Sequence, residues 1–415
     1  MKPYVSNAYK ILSCLVLFCI LTSNIFSKGK TDTTEEKQPK LSEAQKVYSF
    51  GYEYLKNKMY DEAIKNFESA IQESASYIDA YLNLSLAYKG KCRFDKMQET
   101  YNNMEKFSPI KAYYALGSLY TELGKKDSAI IEYKKALEID SGYVDALYGL
   151  GYVYEKMRKD TIIEVYKDST TSEWKSILVK KNSLDVAIEY YKTALRYAPK
   201  NESVRYSLAN AFISQKKYEE GIEELKALRD AFPEDLDVRK ALGRAYLSAK
   251  KYNEAKSEFE YIAQKSPDNR ENKINFGYTY EGLKEYGSAL QSYNEAISLD
   301  TSDVYSYFPA INLCLTLSNL SEATRYLQKA RVVSPDNQIL HCLAGDIQFQ
   351  SAIIASKNKN LEGSENGYQG ALNEYRLALN GEAPEWQAYA KKYIKQVEDR
   401  LKEVKKEIWW HKKSR

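Results

Sequence analysis

Residues 236–269 read LDVRKALGRAYLSAKKYNEAKSEFEYIAQKSPDN, and residues 270–303 read RENKINFGYTYEGLKEYGSALQSYNEAISLDTSD. Both stretches are 34 residues long, and both carry glycine at the eighth position, alanine at the twentieth and an aromatic residue at the twenty-fourth. This alternation of small and large residues is typical of paired helices whose backbones approach closely. The stretch therefore predicts one helix–turn–helix unit per copy.

The same pitch extends over most of the chain. The eighth position follows a hydrophobic residue in each copy, and successive copies lie 34, 32, 34, 58, 34, 34, 34 and 34 residues apart. This first row comprises Gly51, Ser85, Gly117, Gly151, Ala209, Gly243, Gly277, Ile311 (the one large exception) and Gly345. A second, mostly small row comprises Ala63, Met97, Ala129, Ala187, Gly221, Ala255, Ala289, Ala323 and Ala371, each followed four residues later by an aromatic residue or leucine. Such units must stack, because one helix pair cannot bury its apolar face alone.

The pattern resembles the tetratricopeptide repeat, a 34-residue helix–turn–helix unit with this spacing. The resemblance covers about residues 44–384 and implies an all-α, right-handed superhelical solenoid of about nine repeats with a concave and a convex face. The expected repeats lie near residues 44–77, 78–109, 110–143, 144–201, 202–235, 236–269, 270–303, 304–337 and 338–384. We expect second helices to stop at Pro109, Pro199, Pro233, Pro267 and Pro335.

Two irregular steps locate insertions. The step of 58 residues, instead of 34, places extra chain between the two helices of the fourth repeat, at about residues 156–181. Two β-branched runs there, residues 161–166 and 173–179, flank a polar turn and favour a β-hairpin, with an extended helix and loop as the alternative. In the last repeat the insertion lies within residues 354–367, where the Gly-, Ser- and Asn-rich segment 361–367 predicts a loop.

The N-terminus predicts export. Lys2 and Lys10 precede an apolar stretch at residues 11–21 that only Ser13 interrupts, and a polar segment follows. The stretch is shorter than the roughly 20 residues of a bilayer span. Residues 1–27 therefore have the pattern of a signal peptide and residues 28–42 that of a polar linker, with an uncleaved membrane anchor at residues 11–25 as the alternative. We expect a periplasmic or membrane-associated protein of the cell envelope.

Composition and motifs argue against an enzyme. The 61 basic and 57 acidic residues are interleaved, without the basic stripe of a nucleic-acid-binding protein. The two histidines, His341 and His411, are far apart in sequence, and no metal-binding, nucleophile–base or phosphate-cradling motif occurs, so we expect no metal and no cofactor. Cys314 and Cys342 lie on neighbouring first helices, either as a disulfide or as two buried free thiols.

Tyrosine is abundant, at 38 of 415 residues, and packing rows account for many of these side chains. The others cluster six and three residues before, and one residue after, the first row, in positions that line the concave face of such an array. We expect this face to bind a partner through Tyr48, Tyr52, Tyr114, Asp145, Tyr148, Tyr152, Tyr206, Asn210, Lys240, Arg244, Tyr278, Tyr305 and Asn312. Tyrosine suits recognition because its ring is large and rigid and its hydroxyl bonds polar groups. The alternative is that the rings stack on each other and rigidify the solenoid.

The chaperone-binding version of this repeat is present only in part. Repeats that grip a C-terminal carboxylate carry Lys and Asn in one unit, Asn in the next, and Lys and Arg in the third. The nearest window here has Lys240 and Asn275, but Arg244 replaces the first Asn, and the third unit offers Tyr305 and Pro309. We do not assign that function.

Residues 385–415 predict a capping helix with a basic tail. An apolar stripe with spacings of three and four runs to about Trp409, and Trp409–Trp410 beside lysines could lie at a lipid interface or pack against the last repeat. We expect a non-enzymatic scaffold of the cell envelope that binds a peptide or partner protein along the tyrosine-lined groove. The alternative is a module that binds carbohydrate or peptidoglycan.

Overall fold

The structure is a computed structural model that describes residues 42–157, 162–168 and 170–413. Within these residues the chain forms nineteen α-helices and one two-stranded sheet, which confirms the predicted all-α fold with a small hairpin. The predicted signal peptide and nearly all of the predicted linker lie outside the described residues. Among the described helices, none is both long and apolar enough to cross a bilayer.

The chain divides into two compact units, Met1–Lys91 and Cys92–Arg415. The described part of the first unit comprises α1 (Glu43–Lys56), α2 (Tyr60–Glu73) and α3 (Ile78–Gly90). Ser42 and Gln45 form a capping box that begins α1, because each side chain accepts a hydrogen bond from the other residue's backbone N–H. The core of this unit is built from Ala63, Phe67, Leu84 and Ala87.

The second unit contains the remaining elements. They are α4 (Phe94–Met104), α5 (Pro109–Glu122), α6 (Lys126–Ile139), α7 (Val144–Met157), β1 (Ile162–Lys167), β2 (Trp174–Val179), α8 (Ser183–Tyr197), α9 (Glu202–Ser214), α10 (Tyr218–Ala231), α11 (Leu236–Ser248), α12 (Tyr252–Lys265), α13 (Arg270–Gly282), α14 (Tyr286–Leu299), α15 (Tyr307–Thr316), α16 (Leu320–Val333), α17 (Gln338–Lys357), α18 (Leu361–Ala378) and α19 (Pro384–Lys413). A short 3₁₀ turn, Val304–Ser306, precedes α15. Pro109 is the first residue of α5 instead of the stop of α4, because its fixed φ and missing N–H suit the first helical position.

Most helix crossings match a small residue with a large one. A Cβ added to a first-row glycine would lie 2.0–2.8 Å from the ring that faces it, in the pairs Gly51–Phe67, Gly117–Tyr133, Gly151–Tyr191, Gly243–Phe259, Gly277–Tyr293 and Gly345–Tyr375. Where the first row carries Ala209 or Ile311, the matching residue is a leucine, Leu225 or Leu327. Combined volume is therefore similar at the Gly–aromatic and Ala–Leu crossings, and Ile311–Leu327 is the exception.

The turns inside the repeats share a left-handed residue that the sequence does not reveal. Seven residues after the first row, φ is 56–70° at Lys58, Cys92, Gly124, Lys216, Lys250, Lys284 and Ser318. Only Gly124 is a glycine, the residue that tolerates this conformation best. Most of these helix ends therefore accept a strained L-residue, and their composition gives no signal of the turn.

The predicted hairpin in the fourth repeat is confirmed. β1 and β2 pair antiparallel in continuous register from Ile162–Val179 to Lys167–Trp174. Ile162 is 1% exposed, and the Tyr154 hydroxyl of α7 donates to the Ile163 carbonyl at 2.9 Å. On the α6 side, the Lys167 ammonium pairs with Glu138 at 3.3 Å. The hairpin is thereby fixed to the helices of the second unit.

The predicted loop at residues 361–367 is wrong, because these residues form the first two turns of α18. α17 has 20 residues and α18 has 18, so the insertion within 354–367 lengthens both helices of the last pair. A Cβ on Gly367 would lie 2.8 Å from Cβ of Ala352, and Ser364 is fully buried. The small residues that predicted a loop are instead needed where the two long helices cross.

α19 confirms the predicted capping helix and ends four residues later than expected. Ala390, Val397, Leu401 and Val404 are buried in one cluster with residues of α17 and α18. The side chains of Trp409 and Trp410, in its last turns, are 52% and 55% exposed. Cys314 and Cys342 are buried free thiols, so the disulfide alternative is wrong.

Candidate ligand-binding groove

The first helices of the second unit form its inner wall. Successive first helices contact each other directly, in the pairs α5–α7, α7–α9, α11–α13, α13–α15 and α15–α17, and contacts between successive second helices are less extensive among the described residues. The more closely spaced helices mark the inner side of a curved stack. Most of the predicted binding residues lie on these helices.

Tyr114 and Tyr148 are half-buried and pack on tyrosine rings that lie four residues after the second row. The Tyr114 ring lies 6.1 Å from Tyr133 and makes an edge contact with Tyr143 at 5.8 Å. Tyr148 lies 5.8 Å from Tyr191, and its hydroxyl accepts a hydrogen bond from the Ser207 hydroxyl at 3.4 Å. These two tyrosines therefore contribute to packing while part of each ring stays accessible.

Asp145 and Tyr278 are exposed side chains with protein close by. Asp145 is exposed at the start of α7, yet desolvation by the surrounding protein raises the pKa of its carboxyl. Tyr278 is 45% exposed, and desolvation likewise raises the pKa of its hydroxyl. Both side chains are therefore accessible to water and partly surrounded by protein.

The other predicted tyrosines and asparagines of the second unit differ in how far they are exposed. Tyr152 is half-buried, and the Lys156 ammonium lies 5.0 Å from the centre of its ring, which is a cation–π contact. Tyr206 and Asn210 on α9 are also half-buried, and Asn312 on α15 is exposed. The Tyr305 ring, 50% exposed, makes an edge contact with Phe308 at 5.4 Å. Tyr278 and Tyr305 are thus the most accessible rings of the set.

Lys240 and Arg244 do not supply unpaired positive charge to the groove. The Lys240 ammonium lies 2.8 Å from Asp237 and 3.3 Å from Glu271. The Arg244 guanidinium pairs with the same Glu271, which belongs to the next first helix, α13. This carboxylate joins two neighbouring repeats and offsets the two cations.

Several further groove carboxylates escaped the sequence analysis. Three tyrosines that lie four residues after the second row donate their hydroxyls to carboxylates on the facing first helix. Tyr191 donates to Glu155 at 2.9 Å, Tyr293 to Glu281, and Tyr375 to Asp346 at 2.6 Å. Desolvation raises the pKa of the Glu281 and Asp346 carboxyls. Their positions, one or four residues after the first row, were readable in the sequence, but only the structure shows the bonds to the rings. The inner wall is therefore aromatic and acidic.

Asn275 on α13 is a buried amide with an unused donor. Its Nδ2 has no hydrogen-bond partner among the described residues, and the residue is 3% exposed. Asn83 holds the equivalent position, two residues before the first row, in the first unit; its Nδ2 donates to the Tyr48 hydroxyl at 2.7 Å and to the Asp79 carbonyl at 3.1 Å. Because a lysine, Lys240, stands where the first unit has Tyr48, the corresponding acceptor is missing at Asn275. Asn275 therefore buries a donor that Asn83 satisfies, at a cost to stability.

Tyr48 and Tyr52 belong to the first unit, whereas the other predicted binding residues belong to the second. Both are half-buried on α1. The Tyr48 ring lies 4.9 Å from Tyr77 and 5.6 Å from Phe67, and its burial raises the pKa of the hydroxyl. Tyr48 is therefore chiefly a packing residue.

Comparison with known families finds tetratricopeptide repeats along the chain. One family model described as TPR repeat matches residues 117–157, and one described as tetratricopeptide repeat matches residues 178–245. A third, also described as tetratricopeptide repeat, matches residues 47–77 and 271–303.

Relatives are similar over parts of their length. An uncharacterized protein, ycf37, of Guillardia theta is 27% identical over 174 residues, which cover 40% of this chain and 82% of that protein. The Hsp70-Hsp90 organising protein of Plasmodium falciparum is 30% identical over 157 residues, covering 35% of this chain and 28% of that protein. Among solved structures, the C-terminal part of a TPR repeat-containing protein from Cytophaga hutchinsonii is 16% identical, with a TM-score of 0.46 over 63% of this chain and 98% of that one.

Proposed function

The chain is a member of the tetratricopeptide repeat superfamily, and we propose that it is a non-catalytic scaffold that holds an extended peptide of a partner protein along the inner wall of its second unit. The observation that carries this proposal is the combination of accessible rings and carboxylates on that wall. Tyr278 and Tyr305 offer exposed ring surface, and Asp145 adds an accessible carboxylate. The name of the P. falciparum relative describes a protein that organises two others, a role of the same class.

The charge of the wall selects the kind of peptide. Glu271 already offsets Lys240 and Arg244, so these cations are poor sites for an acidic ligand. Tyrosine faces and carboxylates together favour lysine or arginine side chains, through cation–π contacts and charge-assisted hydrogen bonds. We therefore propose a basic, extended segment as the ligand.

A peptide array tests this function. The purified protein would be probed with extended peptides rich in lysine or arginine, with charge-reversed peptides, and with soluble glycan strands. We expect the basic peptides to bind, and a Tyr278→Ala/Tyr305→Ala variant to lose about 1–3 kcal/mol of affinity, since few residues carry most binding energy. Tyr166→Ala is the matched control, because Tyr166 is 46% exposed on the hairpin and outside the inner wall. Glycan binding without peptide binding would favour the carbohydrate alternative and contradict the scaffold proposal.

We further propose that the protein works beside a membrane in the cell envelope. The apolar stretch at residues 11–21 with its basic flank supports export or anchoring. The exposed Trp409 and Trp410 end α19 among lysines, and the Lys413 ammonium lies 4.7 Å from the Trp409 ring centre. Tryptophan beside basic residues is favoured at the headgroup level of anionic bilayers.

A further inference from the structure

The hairpin presents an outer strand edge without a partner. At its tip the Asp168 N–H donates to the Glu173 carbonyl at 2.8 Å. From such a hydrogen-bonded pair, the backbone N–H and C=O groups of successive residues point alternately toward the partner strand and away from it. The backbone groups of Trp174, Ser176 and Leu178 therefore point away from β1. The Tyr154 bond to the carbonyl of Ile163, which lies opposite Leu178, agrees with this alternation. No hydrogen bond from another described element reaches the outward backbone groups of these three β2 residues.

This edge has few of the features by which proteins protect exposed strands. β2 contains no proline and no bulge, and its single charged residue is Lys175. The side chains of Leu178 and Ile177 are 76% and 48% exposed. A two-stranded hairpin is marginal alone, and further strands stabilise it. The body of the hairpin is nevertheless held in place, because the Ser176 hydroxyl donates to Asp127 of α6 at 3.2 Å.

We infer that β2 pairs antiparallel with β2 of a second copy of this chain, about a twofold axis through Ser176. In this register Trp174 of one copy lies opposite Leu178 of the other, twice by symmetry, and Ser176 lies opposite itself. Every outward N–H and C=O of these residues then gains a backbone partner, and aromatic–aliphatic pairs stabilise the ladder. A register shifted by two residues toward the N-terminus would set Lys175 opposite Lys175, which is unfavourable. The inference does not depend on the proposed groove.

The pairing would join two hairpins into one four-stranded sheet. A contact made mainly by one strand from each copy buries less surface than the roughly 1,200–2,000 Å² of stable interfaces. We therefore expect a weak dimer whose population rises with concentration in the micromolar range. The isologous geometry closes at two copies, because each copy has one β2 edge.

Two substitutions at the axis separate backbone pairing from side-chain effects. Ser176→Pro removes an outward N–H and leaves the inward ladder to β1 intact, since edge strands accept proline at such positions. Ser176→Ala removes the same bond to Asp127 but keeps the N–H. In sedimentation experiments on the full chain, we expect wild type and Ser176→Ala to dimerise and Ser176→Pro to stay monomeric at every concentration. A monomeric wild type, or a Ser176→Pro variant that dimerises equally, would overturn the inference.

Cysteine placement tests the register without relying on the proline variant. In a Cys14→Ser/Cys19→Ser/Cys92→Ser background, which keeps only the buried native thiols of Cys314 and Cys342, a Ser176→Cys variant should cross-link to itself under mild oxidation. A Trp174→Cys variant should not cross-link to itself, because position 174 faces position 178 of the other copy. Trp174→Cys and Leu178→Cys chains, mixed together, should cross-link to each other. Equal cross-linking of all single variants would contradict the register. If the chain is monomeric and its β2 edge binds an extended peptide of another protein, then that peptide, and not a second copy, is the occupant.

Discussion

The ring of Phe259 fills the space that a side chain on Gly243 would need. A Cβ on Gly243 would lie 2.6 Å from Cε1 of Phe259, below any ordinary contact distance. Both residues are buried where α11 crosses α12. The preceding repeat makes the equivalent crossing with Ala209 and Leu225, so the chain contains two solutions to the same packing problem.

The first prediction concerns the side-chain volumes of the two residues at this crossing. In an exposed helix, glycine to alanine would stabilise by up to about 1 kcal/mol. At this crossing we expect Gly243→Ala to destabilise by roughly 1–3 kcal/mol through overpacking. A Gly243→Ala/Phe259→Leu double variant should recover part of the loss, because it reproduces the Ala209–Leu225 pair. Urea unfolding measures both; a Gly243→Ala variant more stable than wild type would mean that the crossing is looser than described.

The second prediction contrasts two asparagines at equivalent positions. Asn83→Ala removes the hydrogen bonds to the Tyr48 hydroxyl and the Asp79 carbonyl and should cost about 1 kcal/mol or more of stability. Asn275→Ala removes a donor without a partner, so we expect the melting temperature to stay the same or rise. Thermal unfolding of both variants is the measurement, and a large loss of stability in Asn275→Ala would show that the amide is satisfied.

The third prediction concerns Asp346, whose carboxylate accepts hydrogen bonds from the Tyr375 hydroxyl at 2.6 Å and the Tyr389 hydroxyl at 2.9 Å. Burial raises the pKa of Asp346, so its ionisation in the folded state opposes folding as pH rises through that value. We expect Asp346→Asn, which keeps an acceptor and removes the charge, to match or exceed wild-type stability at neutral pH. Its advantage should shrink on acidification toward about pH 4, the usual aspartate pKa, because wild type then becomes neutral too.

Asp346→Ala is the control for that experiment. It leaves the hydroxyls of Tyr375 and Tyr389 without this acceptor, and we expect it to destabilise by about 1–3 kcal/mol at any pH. Thermal unfolding from pH 4 to pH 7.5 of the three proteins is the measurement. An Asp346→Asn advantage that grows on acidification would show that the carboxyl pKa is lowered instead.

The fourth prediction concerns the end of α19. In a Trp174→Phe/Trp386→Phe background the remaining tryptophans are Trp409 and Trp410. We expect brominated lipids in anionic vesicles to quench their fluorescence, and high salt or zwitterionic vesicles to weaken the effect, because screened lysines attract the surface less. Absence of quenching in anionic vesicles would contradict membrane contact by this tail.

The repeat pitch alone was sufficient to predict the helix pairs, the crossing glycines and the position of the hairpin. Gly117, Gly243 and Gly277 can be identified from the sequence as helix-crossing residues. Close approach of two backbones requires a small residue, and that requirement recurs at a fixed spacing. The predicted binding rows follow from the same periodicity, and their role in binding stays a prediction.

What the side chains face was decided only by the tertiary structure. Lys240 and Arg244 were predicted from the sequence to bind a partner, but Glu271 of the next repeat offsets the charge of both. Residues 361–367 have a loop composition, yet Gly367 lies against Ala352 in a helix crossing. Glycine and charged residues have the same local preferences in either setting, so their role depends on the element packed opposite, which a one-dimensional pattern does not contain.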